Sequence, residues 1–208
     1  MILAAGFGKR MLPLTKNLPK PLIEVNGISL LDNAINFLKK LGCNQIIINT
    51  HFKNLQIQQK INQRKDKNII TLIHEEELLD TGGAVKNAIP YFDNSNILLI
   101  NSDVFWTDEN INDAKTLVDD YFNFNLPHLL LVEKRNAIGL DRNTGDFCLN
   151  KKIVEKYKQG DQIIYYSGLQ ILNCNFFNNF SIKKFSFNLV WDSWINDKKL
   201  CGKVVWKS

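Results

Sequence analysis

The N-terminal stretch MILAAGFGKRMLPLTKNLPKPL places two glycines, two adjacent cations and a proline-flanked lysine directly after an apolar run. Gly6 and Gly8 allow the backbone to come close to a ligand, and consecutive backbone amides can line a site for an anion. Arg10, which follows Lys9, can donate paired hydrogen bonds to phosphate oxygens. Prolines on both sides of Lys20 restrict its backbone, which makes this lysine a fixed positive charge. Phosphoryl and nucleotidyl transfer need such a charge, because their transition states are stabilised mainly by placement and electrostatics.

A plainer interpretation of residues 6–10 is a tight turn with a solvated basic pair, and an isolated G-x-G would favour it. The dinucleotide-binding fingerprint does not fit, because its third glycine would fall at Met11 or Leu12. A P-loop does not fit either, because no Gly-Lys-Ser/Thr follows. The continuation through the prolines to Leu22 is what favours a phosphate site over a simple turn.

Two later segments carry residues that could complete a phosphate site. In ELLDTGGA, residues 77–84, Asp80 or Thr81 is expected to cap a helix N-terminus, and Gly82 and Gly83 follow in its first turn. Two glycines destabilise a helix, so their presence here indicates that a ligand comes close to the backbone. Asp103 follows an apolar run, where it could bind Mg²⁺ together with phosphate oxygens and water, or cap the next turn instead.

These segments follow short apolar runs that predict buried strands. The runs are rich in Ile and Leu without polar alternation, which is typical of a parallel sheet covered on both faces; they are Met1–Ala5, Ile46–Ile48, Ile69–Ile73, Ile97–Ile100 and Leu129–Val132. Helical patterns lie between them at Ser29–Leu41, Asn54–Ile61, Gly82–Ile89 and Asn112–Tyr121. Ser29 is expected to cap the first helix and Gly42 to end it. We therefore predict an α/β fold, a doubly wound, mostly parallel Rossmann-like sheet that binds ligands beyond the carboxyl ends of its strands.

After Val132 the pattern changes to that of a small mixed α+β region. It predicts a hairpin, a longer strand, a helix and a last short strand, at Phe147–Leu149 with Lys152–Val154, Gln162–Asn173, Ser186–Asn196 and Lys203–Trp206. No linker or repeat separates this region from the rest of the chain. We therefore expect residues 1–208 to form a single domain, with a core over residues 1–132 and the smaller region over residues 133–208.

The composition is ordinary for a globular chain of 208 residues, with 45% hydrophobic and 23% charged residues. The net charge of +5 fits small anionic substrates, and no basic-aromatic array is evident, so we expect no nucleic-acid partner. No apolar stretch approaches the roughly 18–20 residues of a membrane span, and no charged leader precedes the first run, so neither a membrane segment nor a signal peptide is expected. The four cysteines are scattered, which predicts free thiols in a cytoplasmic protein.

The string G-x-G-x-R-M-x-P-L-T-x-x-x-P-K-P-L, which starts at Gly6, resembles the signature of the sugar-1-phosphate nucleotidylyltransferases at every fixed position. The resemblance implies that the glycine loop wraps a nucleoside triphosphate, with Arg10 and Lys20 at its phosphates as catalytic residues. It also implies that Gly82 and Gly83 contact the base. The full set of nucleotide-binding residues that it implies is Leu3, Ala4, Ala5, Gly6, Gly8, Lys9, Arg10, Lys20, Thr81, Gly82 and Gly83.

The resemblance also implies a metal site and a sugar site. The family has N/x-G-D at the strand end that here reads Asn101-Ser102-Asp103, with the aspartate on Mg²⁺ and the asparagine near the sugar phosphate. Ser102 replaces the usual glycine and is expected to crowd the backbone slightly. The G-D-F element around Asp146 and the S-G pair that ends at Gly168 resemble sugar-contacting elements of the family. A hairpin turn and a packed strand are the plainer interpretations of these two elements.

One element of the family is not found in the chain. The family has a second metal-binding aspartate near its C-terminus, in a W-x-D-[IV]-[GN]-T element, and no such element occurs here. Asp192 and Asp197 lie on a predicted helix and are assigned no metal role. The expectation is that the chain is truncated at its C-terminus or that its metal site is incomplete.

The resemblance predicts a reaction between a nucleoside triphosphate and a sugar 1-phosphate, with Mg²⁺ as cofactor. UTP and N-acetylmuramic acid 1-phosphate are the favoured pair, because L-D-T-G-G and G-D-F look most like that branch, which acts in cell-wall recycling. GTP with mannose 1-phosphate is the alternative pair. A module that holds a nucleotide without turnover is the alternative function. Residues 1–132 are expected to bind the nucleotide and residues 133–208 the sugar, in a monomer or a homo-oligomer.

Overall fold

Strands and helices alternate along most of the chain in the computed structural model, which describes residues 1–92, 96–140, 142–177 and 183–205. The strands are β1 (Ile2–Leu3), β2 (Glu24–Val25), β3 (Ile28–Ser29), β4 (Ile46–Thr50), β5 (Ile70–His74), β6 (Asn96–Asn101), β7 (His128–Glu133), β8 (Phe147–Asn150), β9 (Ile153–Lys156), β10 (Ile164–Asn173) and β11 (Cys201–Val204). The α-helices are α1 (Leu30–Lys40), α2 (Asn54–Asn62), α3 (Asp80–Ala88), α4 (Asn110–Phe124) and α5 (Phe187–Asn196).

Nine strands form one sheet in the order β5-β4-β1-β6-β10-β7-β11-β9-β8, and β2 and β3 form a separate hairpin. Strands β5, β4, β1 and β6 pair in parallel. Strand β10 lies antiparallel between β6 and β7, so β7 runs in the same direction as β6. The predicted doubly wound α/β fold is confirmed, and its five core strands share one direction. The insertion of β10 between the fourth and fifth of them was not predicted.

Helices cover both faces of the sheet, which explains the unbroken apolar runs of the sequence. Helices α1, α2 and α4 pack on one face, and α3 and α5 pack on the other. Along β4, Ile46 and Ile48 face the first set of helices and Ile47 faces the second, and all three are fully buried. Burial of each such side chain contributes about 1.5–3 kcal/mol. In β4 the two helix layers therefore leave no position for a polar residue before Asn49, near the end of the strand.

The predicted ends of the first long helix are confirmed. Ser29 precedes α1, and its Oγ accepts a hydrogen bond from Asp32 N at 3.0 Å. Gly42 adopts a positive φ of 88°, and its N–H donates to Lys39 O at 2.9 Å. Only a glycine adopts this conformation readily, so the chain turns here from α1 towards β4.

The elements after Val132 form the predicted hairpin, long strand, helix and last strand, with ends shifted by a few residues. They continue the same sheet, because β10 pairs with β6 and β11 pairs in parallel with β7. Trp206, the predicted end of the last strand, lies outside the described residues. The division of the chain at residue 132 stays a prediction. All four cysteines are free thiols, as expected.

The carboxyl ends of the core strands meet at one edge of the sheet. Leu3 of β1 pairs with Asn49 of β4 on one side and with Asn101 of β6 on the other. The pairing of β10 with β6 continues to Leu169 and Ile100, which brings the preceding Gly168 to the same edge. Among the described residues, no helix is both long enough and apolar enough to cross a membrane.

Candidate active site

A cavity of about 330 Å³ opens at this edge of the sheet. It is lined by Leu3, Ala4, Ala5, Gly6, Arg10, Lys20, Pro21, Asn49, Glu75, Leu78, Asp80, Thr81, Asn101, Ser102 and Asp103. The lining unites the glycine loop, the proline-flanked lysine, the segment before α3 and the end of β6, which the sequence had predicted to meet. The predicted residues outside this lining are Gly8, Lys9, Gly82, Gly83, Asp146 and Gly168.

Gly8 fixes the shape of the N-terminal loop without lining the cavity. It adopts a positive φ of 66°, and a Cβ built on it would lie 2.8 Å from Thr15 Cγ2 and 3.1 Å from Lys20 Cβ. Thr15 Oγ1 donates to Gly8 O at 2.9 Å, which closes the loop. The glycine therefore allows the loop to pack against the lysine segment, which places Arg10 and Lys20 on the same cavity. Lys9 points elsewhere, with its Nζ 5.4 Å from the centroid of the Phe7 ring.

Lys20 and Asp103 form an ion pair at the wall of the cavity. Lys20 opens a short 3₁₀ turn after Pro19, and Asp103 follows the end of β6. Lys20 Nζ donates to Asp103 Oδ2 at 2.6 Å, and both side chains are partly exposed, at 21% and 35%. The sequence assigned the lysine to phosphates and the aspartate to a metal, but it did not predict their contact. Because both side chains line the cavity and are partly exposed, a ligand in the cavity can reach both charged groups.

Ser102, which stands where the family has a glycine, adds a side-chain hydrogen bond at the end of β6. Its Oγ donates to Leu3 O at 2.6 Å, and its N–H donates to the same oxygen at 3.2 Å. The side chain is buried, and this hydrogen bond satisfies its hydroxyl group. That group therefore ties the end of β6 to the end of β1, and the expected slight crowding of the backbone stays a prediction.

Sequence reasoning missed two polar residues of the lining, Asn49 and Glu75. Both are buried, and Asn49 Nδ2 donates to Glu75 Oε1 at 2.7 Å. The available signal was a polar residue at or just after the end of a predicted strand, since Asn49 follows Ile48 and Glu75 follows His74. The strand-end rule that selected Asp103 applies equally to these two positions.

The two glycines of α3 have a packing role in this structure. The N–H groups of Gly82 and Gly83 both donate to Phe185 O, at 2.9 and 3.1 Å. A Cβ on Gly82 would lie 2.4 Å from Phe185 Cε2, and one on Gly83 would lie 2.5 Å from Lys183 O. The segment before α5 therefore approaches α3 so closely that no side chain fits. The assignment of these two glycines to the base of a nucleotide stays a prediction.

Thr81 links the cavity to the second half of the chain. It lines the cavity, and its Oγ1 accepts a hydrogen bond from Phe187 N at 2.8 Å, at the start of α5. Asp80, before it, has a positive φ of 61°, and its Oδ1 accepts from Thr81 N at 2.6 Å. The structure begins α3 at Asp80, so the predicted cap lies within the first residues of the helix.

The predicted sugar-binding residues lie on the β10 side of the site. Gly168 has a positive φ of 96°, and a Cβ on it would lie 2.8 Å from Val104 Cγ2 and 3.3 Å from Asn101 Cβ. Asp146 Oδ2 accepts from Arg142 Nη2 at 2.7 Å and from Tyr166 N at 3.0 Å. These contacts give Asp146 the turn-stabilising role that was its plainer interpretation. Contact of Asp146 with a sugar stays a prediction.

A second concavity, of about 430 Å³, lies between α1, α2 and the β2–β3 hairpin. Its charged groups already pair with one another or with neighbours. Lys60 Nζ lies 2.9 Å from Asp32 Oδ2, and Arg64 Nε lies 2.8 Å from Asp66 Oδ1. Hydrogen bonds from Arg64 and then Lys39 hold the pKa of the Asp66 carboxyl well below its usual range. This network joins α1 to α2, and none of the predicted site residues lines it.

Comparison with known proteins identifies the family of the chain. The family model described as nucleotidyl transferase matches residues 1–125, which include the glycine loop, Lys20 and Asp103. The chain belongs to this family. Its enzyme class follows: the chain is a sugar-1-phosphate nucleotidyltransferase, as the sequence predicted.

The names of the relatives of this nucleotidyltransferase specify different nucleotides and different sugars. N-acetylmuramate alpha-1-phosphate uridylyltransferase from Caulobacter vibrioides is 27% identical over 213 residues, which cover 97% of this chain and 86% of that protein. D-glycero-alpha-D-manno-heptose 1-phosphate guanylyltransferase from Campylobacter jejuni is 26% identical over 188 residues, which cover 90% and 81%. The crystal structure of HddC from Yersinia pseudotuberculosis complexed with GMP-PN has a TM-score of 0.77 and 26% identity, with 98% of this chain and 88% of that chain covered.

The cavity of this nucleotidyltransferase fits a Mg²⁺ ion that is held partly by substrate. Asp103 offers one carboxylate, while the oxygens of Glu75 accept from Asn49 Nδ2 and Leu79 N, and Asp80 Oδ1 accepts from Thr81 N. In the part of the chain that the structure describes, no three His, Cys, Asp or Glu residues form a metal-binding group. Mg²⁺ is commonly bound by one or two carboxylates, with phosphate oxygens and water as its other ligands. The donor set therefore fits Mg²⁺ brought together with a triphosphate, and not a cage of protein ligands alone.

Gly82→Ala is expected to lower the free energy of unfolding by about 1–3 kcal/mol, because the new methyl group overlaps the buried Phe185 ring. Urea unfolding measures the change. Gly6→Ala is the matched control, because a Cβ there meets no atom within 4 Å. It is expected to leave stability within about 0.5 kcal/mol of wild type and to weaken nucleotide binding. Wild-type stability of the Gly82→Ala variant would contradict the packing role.

Proposed function

We propose that the protein transfers the uridylyl group of UTP to N-acetylmuramic acid 1-phosphate and releases pyrophosphate. The observation that carries nucleotidyl transfer is the contact of Lys20 with Asp103 on a cavity that Arg10 and the glycine loop also line. The relative from Caulobacter vibrioides, which aligns with 97% of the chain, supports the choice of substrates. The L-D-T-G-G sequence at the start of α3 supports it as well.

In the proposed reaction, an oxygen of the sugar 1-phosphate attacks the α-phosphorus of the triphosphate in line, and pyrophosphate leaves. A sugar phosphate is anionic at neutral pH, so the attack needs no strong general base. Arg10 and the amides of Ala5 and Gly6 hold the triphosphate, and Lys20 offsets negative charge that develops around the α-phosphate. Asp103 would hold Mg²⁺, which supplies charge neutralisation of the phosphates.

The sugar is proposed to bind on the β10 side of the cavity, within residues 133–208. Asn101 lies at the end of β6 next to Gly168, and this pair is proposed as the boundary between the nucleotide side and the sugar side. The backbone of Gly168 can approach a sugar closely because it has no side chain. With the acceptor proposed here, the reaction would take place in the cytoplasm and would belong to the recycling of cell-wall sugars.

GTP with mannose 1-phosphate is the second candidate pair. GTP as the donor is supported by the alignment of the guanylyltransferase from Campylobacter jejuni with 90% of the chain and by the similarity to HddC, whose structure holds GMP-PN. The name of the Campylobacter jejuni relative extends the guanylyl alternative to a heptose 1-phosphate. The uridylyl and guanylyl alternatives share every residue placed at the phosphates above and differ only in the base and sugar contacts.

Pyrophosphate release tests the proposal directly. UTP, GTP, CTP and dTTP are each incubated with Mg²⁺ and with the 1-phosphates of N-acetylmuramic acid, mannose and the heptose. Release with UTP and N-acetylmuramic acid 1-phosphate above all other pairs is the expected result. Preference for GTP with mannose or heptose 1-phosphate would support the second candidate. Tight nucleotide binding without pyrophosphate release in any combination would contradict the proposed transfer reaction. It would support the alternative of a module that binds a nucleotide without turnover.

A further inference from the structure

Two buried polar side chains, Asn49 and Glu75, connect the two loops that flank the cavity. Asn49 lies near the end of β4 and Glu75 follows β5, and each is only 3% exposed. Asn49 Nδ2 donates to Glu75 Oε1 at 2.7 Å. Asn49 Oδ1 accepts from Ala4 N at 3.0 Å, and Glu75 Oε2 accepts from Leu79 N at 3.0 Å. A continuous chain of three hydrogen bonds therefore runs from the loop after β1 to the start of α3.

The backbone of Glu75 is anchored independently of its carboxylate. Its N–H donates to Thr50 O at 2.8 Å, and its carbonyl oxygen lies 2.7 Å from His51 Nδ1. The carboxylate therefore projects from a fixed point of the sheet. A fixed carboxylate can hold the more exposed Leu79–Thr81 segment in place, because a buried amide N–H that loses its acceptor is costly.

We infer that Asn49 and Glu75 are positioning residues for the nucleotide. Ala4 opens the glycine loop, and Leu79 directly precedes Asp80 and Thr81, which line the opposite wall of the cavity. The hydrogen-bonded pair sets the separation of these two walls. The inference rests on the proposed function in one respect, namely that the nucleotide binds in this cavity.

The pattern of donors and acceptors offers a sharp test. In Glu75→Gln, a single oxygen remains, so either Leu79 N or Asn49 Nδ2 faces an amide group instead of an acceptor. In Asn49→Asp, two carboxylates face each other across a distance of 2.7 Å. In the double variant, the introduced aspartate accepts from Ala4 N and from the introduced glutamine, whose oxygen accepts from Leu79 N. Every hydrogen bond and the net charge of the pair are preserved.

The experiment measures kcat, both KM values and the thermal stability of the two single variants and of the double variant. Calorimetric titration with UTP and with GTP gives nucleotide affinity apart from turnover. Each single variant is expected to lose about 10–100-fold in kcat/KM for the nucleotide, with KM for the sugar 1-phosphate within about twofold of wild type. The double variant is expected to recover to within about threefold of wild type, since the two changes compensate each other.

Two results would overturn the inference. A double variant as weak as Glu75→Gln alone would show that the carboxylate itself is required at position 75, and not the bonding pattern. Single variants that are less stable but bind nucleotide with wild-type affinity would show a purely structural role. If a single variant does not fold, the double variant still gives the decisive comparison with wild type. Failure of wild type to release pyrophosphate concerns the proposed function instead, and calorimetry then still tests this inference.

Discussion

Lys20→Ala is expected to lower kcat on the order of 10²–10³-fold while the fold stays intact. The lysine lines the cavity with its ammonium group 2.6 Å from Asp103, where it can offset charge on a reacting phosphate. Because the pair is partly exposed, its loss is expected to cost at most about 1 kcal/mol of stability. Pyrophosphate release under saturating substrates measures kcat, and thermal unfolding measures stability.

Lys16→Ala is the control for this variant, because Lys16 is an exposed cation of the same loop that does not line the cavity. It is expected to keep wild-type kcat. Lys20→Arg is expected to recover only part of the activity, since a guanidinium differs from an ammonium in shape and reach. Equal losses of turnover and stability in Lys20→Ala would show that the lysine supports the fold and not the reaction.

Much of the fold and of the site could be predicted from the sequence, because their signals are local. The unbroken apolar run at Ile46–Ile48 predicted a doubly covered strand, and all three side chains are fully buried. Ser29 and Gly42 predicted the ends of α1, because a cap and a positive φ depend on a few neighbouring atoms. The strand-end rule predicted Lys20 and Asp103 at one edge of the sheet, where both line the cavity.

The remaining features depend on contacts between distant parts of the chain. Lys20 and Asp103 are 83 residues apart, and no local pattern states that two oppositely charged side chains will meet. The insertion of β10 between β6 and β7 follows from pairing across the sheet. The helix cost of Gly82 and Gly83 indicated a close approach, but no local pattern named Phe185, more than a hundred residues later, as the residue that approaches Gly82. A glycine in the sequence indicates that another group approaches the backbone closely, but it does not identify that group.

Asp103→Asn is expected to reduce kcat/KM on the order of 10²–10³-fold and to raise the Mg²⁺ concentration needed for half-maximal activity. The aspartate is the carboxylate that lines the cavity next to the lysine, and Glu75 is occupied by Asn49 and Leu79. A neutral amide keeps the shape of the side chain but loses the charge that attracts a cation. Initial rates over a series of Mg²⁺ concentrations measure both effects.

The metal requirement separates this variant from Lys20→Ala. Removal of the lysine takes a competing cation away from Asp103, so Lys20→Ala is expected to lower kcat without any rise in the Mg²⁺ requirement.

A second measurement, which needs no turnover, is the thermal stabilisation of the protein by a non-hydrolysable nucleotide, with and without Mg²⁺. Wild type is expected to gain more stability with the metal present, and Asp103→Asn is expected to lose that gain. Asp108→Asn, at an exposed carboxylate paired with Lys40, is the matched control. An unchanged Mg²⁺ requirement in Asp103→Asn would exclude Asp103 as the metal ligand and assign its charge to the placement of Lys20 alone.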